Sequence, residues 1–147
     1  MDCSLRNHAA SRAVVKALTM LAALVCFGVT AWVWAVTAGR QPMWPLPAAY
    51  LIEVVALSAI AATATLSRSA HDGSLTLIAA GATLAFAVLA MFSVGIFYIP
   101  VAELLIVAGV LLTWQARRSA LTAAVWLVVS AAMQVTVTLA AVGVLVR

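Results

Sequence analysis

The chain has 147 residues, 67% of them hydrophobic and 8% charged, with a formal net charge of +4, a pI near 9.8 and a mean hydropathy of +1.19. A soluble domain carries about 25% charged residues, so a water-facing surface is excluded. The basic groups cluster near the ends of apolar runs, which directs them to anionic lipid headgroups rather than to nucleic acid.

Five apolar runs fill almost the whole chain, at about 14–37, 48–66, 75–94, 99–114 and 121–146. A hydrocarbon core about 30 Å thick is crossed by ~20 helical residues. The expected fold class is therefore all-α: a polytopic membrane bundle of five transmembrane helices. A polar cytoplasmic tail over 1–13 precedes a single transmembrane domain over 14–147.

The tail Met1–Arg12 reads as polar, short and mobile. Span one is too long for a signal-peptide core of about 7–15 residues and is read as a retained anchor. It ends near Thr37, where Gly39-Arg40-Gln41-Pro42 breaks the helix. Pro45 and Pro47 extend that loop, and span two starts after Pro47, a residue suited to a first helical turn. It ends at Ser67-Arg68, and a polar turn over Ser69–Ser74 leads to span three.

The stretch Leu75–Trp114 holds one charge. As a single helix it would measure about 60 Å, twice the hydrocarbon thickness, so it folds back once. The break is expected around Gly95–Pro100, in a nearly apolar hairpin turn at headgroup level. The alternative is a re-entrant dip.

Orientation follows from the distribution of Lys and Arg, which are retained on the cytoplasmic side. With the N-terminus inside, Arg6, Arg12, Lys16, Arg68, Arg117 and Arg118 are cytoplasmic, and only Arg40 and Arg147 are outside. The C-terminus is then outside. Trp32, Trp34, Trp44 and Tyr50 surround the first outer loop, Tyr98 marks the second outer turn, and Trp114 and Trp126 flank the inner Arg117-Arg118 loop. All are read as interface anchors.

Helices in lipid associate through close contact between small residues. Span two carries Ser58/Ala62 and Ala61/Thr65 at four-residue spacing, and span three carries Ala79, Ala80, Gly81, Ala82 and Thr83. These two spans are expected to pack antiparallel, with span two near the middle of the bundle. Gln134, inside span five with Thr136 and Thr138, is read as interhelical or intersubunit glue.

Glu53 and Glu103 are the two acids inside the spans. Each follows a helix-starting proline, Pro47 or Pro100, and enters from the same side. At 1.5 Å per residue they lie about 9 Å and about 5 Å along their helices, so they are expected at similar depth, facing across the bundle. An intramembrane acid is a functional hypothesis by default. These two cap helix N-termini or pair with Arg40, Tyr50 or Tyr98; or they bind protons or a cationic substrate; or they contact a partner. The candidate polar site is accordingly Glu53, Glu103, Gln134, Tyr50, Tyr98 and Arg40.

Cys3 and Cys26 are read as free thiols, one in the tail and one in span one. His8, His71 and Asp72 are too few for a metal site. No Gly-rich phosphate loop, zinc signature or nucleophile motif is present, so no catalytic residue, metal or cofactor is expected. The expected function is a non-enzymatic small subunit or oligomeric scaffold of a membrane complex, in the bilayer of a cell membrane of the bacterial plasma-membrane type. The alternative is a small proton- or cation-coupled secondary transporter using Glu53 and Glu103.

Overall fold

The computed structural model describes residues 2–37, 46–67, 72–91, 94–116 and 119–145. Five α-helices account for most of them: α1 (Asp2–Thr37), α2 (Leu46–Ser67), α3 (Asp72–Leu89), α4 (Ile99–Gln115) and α5 (Ala120–Leu145). A 3-10 turn, Gly95–Tyr98, leads into α4. No strand occurs among the described residues.

The first helix starts at Asp2, well before the apolar run. The polar tail is helical because it holds no Gly or Pro and has good helix formers at Leu5, Arg6, Ala9 and Ala10. The third helix stops at Leu89, earlier than the sequence pattern implied. There the Gly95 N–H donates to the Ala90 carbonyl at 2.8 Å and brings the returning chain onto the end of α3. A Cβ on Gly95 would collide with the Ala87 carbonyl oxygen and lie 2.6 Å from the Ala90 carbonyl carbon. Only glycine permits that approach. Pro100 then falls in the first turn of α4, where a missing N–H breaks no helical bond.

The chain returns as an antiparallel helical hairpin. Gly73, at the start of α3, abuts Leu112 and Thr113 near the end of α4, and Leu77 packs on Gly109. The two helices thus run antiparallel over their whole length.

Four helices form a ring in the order α1, α2, α3, α4, with α4 closing on α1. The diagonal pairs α1/α3 and α2/α4 bring no Cα atoms within 8 Å of each other among the described residues. The fifth helix lies outside the ring, on α3 with one edge on α4. The middle is therefore the α3–α4 pair, each of which touches three helices, and not span two as expected, which touches two; α3 makes the most extensive contacts. Its small residues explain the position: Ala79, Ala80, Gly81, Ala82, Thr83, Ala85 and Ala87 are all buried. A Cβ on Gly81 would collide with Ser130 Oγ and lie 2.5 Å from the Leu127 carbonyl oxygen. That contact brings the α5 backbone against α3, the close approach that small residues allow in lipid.

The exterior is apolar. Leu24 and Phe27 on α1 and Leu121, Val128 and Leu139 on α5 are among many large hydrophobic side chains left exposed. Surfaces of that kind belong in lipid. Four helices are long and apolar enough to cross a bilayer: Ser11–Thr37, Ala48–Ser67, Gly95–Gln115 and Ala120–Ala140. The α3 helix has 18 residues and is about 27 Å long, just under a full crossing.

Two side-chain contacts fix the relative heights. The Gln115 amide donates to Ser11 Oγ at 2.7 Å, and Thr30 Oγ1 lies 2.8 Å from Tyr98 OH. Beyond Thr30, α1 continues to Thr37, about 10 Å further. Tyr98, where the chain enters α4, thus lies below the end of α1. On α5 the last buried residue is Gln134, and no described residue beyond it is buried.

Candidate functional site

One set of interior polar groups lines a seam between α1 and α2, while Ser74, Thr76 and Thr83 on α3, Thr113 on α4, and Ser130 and Gln134 on α5 are buried elsewhere. At its inner end Thr19 Oγ1 and Thr65 Oγ1 share a hydrogen bond of 2.9 Å. Further up, the Cys26 thiol lies against Ser58 and Thr30. At the top Thr30 meets Tyr98. Thr19 and Cys26 are seven residues apart, as are Ser58 and Thr65, the spacing that keeps one face turned to a partner helix. Ser58 is 1% exposed, and its hydroxyl makes no hydrogen bond to an oxygen or nitrogen. A thiol is a weak partner for it.

Tyr98 is fully buried, at 0% exposure, and is not the interface anchor its place in the sequence suggested. The 3-10 turn carries the ring into the core, where it packs edge-on against Phe86, with centroids 5.1 Å apart and planes at 89°. Its neighbour Phe97 instead meets Trp32 near the surface, also at 5.1 Å. Trp32, Trp34, Trp114 and Trp126 are all exposed. Trp44 and Arg40 lie outside the described residues, and so do the pairings anticipated for Arg40.

Tyr50 packs its ring on Phe86 at 6.3 Å, and its hydroxyl is buried without a hydrogen bond. Glu53, one turn further along α2, is half-buried. Glu103 is exposed, on the side of α4 that also presents Pro100, Val107 and Trp114. Neither carboxylate forms a hydrogen bond or ion pair with another described residue.

The two acids are not brought together. Their helices occupy opposite corners of the ring, with no Cα atoms within 8 Å of each other among the described residues. Their depths also differ. With Ser11 opposite Gln115 and Thr30 opposite Tyr98, Glu103 falls level with Leu24, the middle of the apolar stretch Ser11–Thr37. With Thr19 opposite Thr65 and Cys26 against Ser58, Glu53 falls level with Ala31, about 10 Å closer to the hairpin end. The expectation of equal depth failed because it measured each acid from its own proline. The two prolines are at different heights: by the same contacts Pro100 falls near the level of Gly28 and Pro47 near that of Thr37. A charge near the bilayer centre costs on the order of 3 kcal/mol on insertion scales.

Gln134 is 6% exposed, on the stripe of α5 that also carries Ala123 and Ser130 and faces α3. Its side-chain amide forms no hydrogen bond with another described residue, so the structure gives it packing rather than a bonding role. Among the described residues no three His, Cys, Asp or Glu side chains come together.

The hydroxyl–thiol seam was not singled out from the sequence, although its signal is present as the seven-residue spacing of Thr19 and Cys26 against Ser58 and Thr65. The class defined by this fold is a helical, multi-pass membrane protein. No family model, curated protein or solved structure matches the chain significantly.

Proposed function

We propose that this protein is a non-enzymatic membrane subunit or scaffold that works through helix packing, with its N-terminus and its Arg117-Arg118 loop on the cytoplasmic side of a cell membrane. The observation that carries the reading is the contrast between interior and exterior. The ring is filled by small side chains, among them Ala22, Ala61, Ala80 and Ala108, while α1 and α5 turn long rows of large apolar side chains outward. Such a molecule offers surfaces to lipid and to other helices. A transporter coupled through Glu53 and Glu103 needs both acids in one water-accessible cavity, and their separate corners and depths support that reading less.

Purification in a mild detergent is expected to recover a stoichiometric membrane partner or a defined homo-oligomer. A monodisperse monomer from native membranes would overturn the reading. Cysteines introduced by Arg40→Cys and Arg118→Cys should label with an impermeant maleimide from outside and from inside, respectively. The opposite pattern would reverse the topology.

A further inference from the structure

We propose that the outward face of α4 around Glu103 docks a partner transmembrane helix that carries a cationic side chain at matching depth. This rests on the subunit reading above and names the chemistry of the partner. Glu103 is exposed on a face otherwise made of Pro100, Val107 and Trp114, and it has no hydrogen-bonding or ionic partner among the described residues. The contacts Ser11–Gln115 and Thr30–Tyr98 set it level with Leu24, midway along the first span. At that depth water is scarce, and a carboxylate that turns away from its own bundle requires a donor from elsewhere. Lipid tails offer none, and amine headgroups lie at the bilayer surface. A Lys or Arg midway along another apolar helix meets the requirement in charge and in height.

No second copy of this chain supplies that group from its described residues. Arg12 and Lys16 lie at the other end of α1, about 12 Å or more from the level of Leu24. The complementary charge therefore belongs to a different chain. Glu53 makes no comparable demand, since it is half-buried and lies closer to the membrane surface.

The test uses the full chain reconstituted alone in phosphatidylcholine vesicles. Synthetic Leu-rich helices of about 20 residues carry a terminal dansyl group and either Lys or Leu at their midpoint. Energy transfer from the tryptophans of the chain reports association. The Lys-centred helix should associate at least about fivefold more strongly than the Leu-centred one, the scale of one polar contact between helices in lipid. Glu103→Leu should erase that preference, and Glu103→Lys should transfer it to a Glu-centred helix. Thr136→Val, on the exposed side of α5, should leave it intact. Equal association of the Lys and Leu helices with the wild type, or a preference that survives Glu103→Leu, would overturn the proposal. A native partner that still copurifies with Glu103→Leu refutes docking at α4 but keeps the subunit reading. A Glu103-dependent preference in a chain recovered from native membranes as a monodisperse monomer refutes the subunit reading and leaves the α4 site standing.

Discussion

Thr30 on α1 and Tyr98, where the chain enters α4, lie 2.8 Å apart, hydroxyl to hydroxyl. This one bond ties the two hairpins of the ring together at the end where α4 starts. Beneath it the Tyr98 ring stands edge-on to Phe86, so a polar tip and an apolar body are both satisfied in the core.

Tyr98→Phe keeps the ring and removes the bond. Interhelical bonds in membranes average about 0.6 kcal/mol and reach about 1.7, so a loss in that range is expected. Tyr98→Ala also empties the core and should cost about 3–5 kcal/mol. Unfolding of the purified protein in mixed micelles of increasing SDS fraction measures both. Thr30→Val combined with Tyr98→Phe should cost less than the two singles added, because each removes the same bond. Strict additivity would show that the bond carries no energy.

At Gly81 the prediction concerns α5. A methyl group there meets Ser130 Oγ and the Leu127 carbonyl, so Gly81→Ala should cost about 1–3 kcal/mol and Gly81→Leu should displace α5 from α3. A cysteine pair placed across α3 and α5 next to this contact should then lose its oxidative cross-link. Gly28→Ala and Gly143→Ala are matched controls. Nothing lies within 4 Å of the Cβ position of either residue, and each variant should stay within about 0.5 kcal/mol of the wild type.

In the α1–α2 seam, Thr19→Val and Thr65→Val should each weaken the bundle by about 0.5–1 kcal/mol and show coupling in a double-mutant cycle. The Cys26 thiol, buried in the same seam, should be nearly inert. On a Cys3→Ser background, maleimide labelling of the folded protein is expected to be at least about tenfold slower than after SDS unfolding. Equal rates in the two states would mean that the seam opens to solvent.

The number of helices and most of their limits, the start of α1 and the end of α3 excepted, were legible because Pro47, Pro100 and the Gly39–Pro42 segment punctuate long apolar runs, and backbone chemistry at such residues is local. Which face of each helix turns inward was not. In water a helix advertises its buried face by contrast with a polar one. Here Leu24 on the lipid side and Leu105 in the core are chemically alike. The remaining signal is side-chain size and the placement of hydroxyls, which marks Gly81 and the Thr19/Cys26 pair but says little of Tyr98. The depth of Glu103 was hidden for another reason: it depends on how far the neighbouring hairpin rises, and no stretch of sequence within α4 encodes that.

The low start of α4 also acts on the solvent. Around α1 the hydrocarbon meets a helix that continues from Thr30 to Thr37, whereas beside it the turn at Gly95–Tyr98 has already reversed the chain. One flat sheet of lipid does not match both heights, and mismatch costs fractions of a kcal/mol for each ångström. The bilayer answers by dimpling over the low side or by tilting the whole molecule. Membrane thickness thereby becomes a variable to which this small bundle responds, and thinner regions are where it should collect.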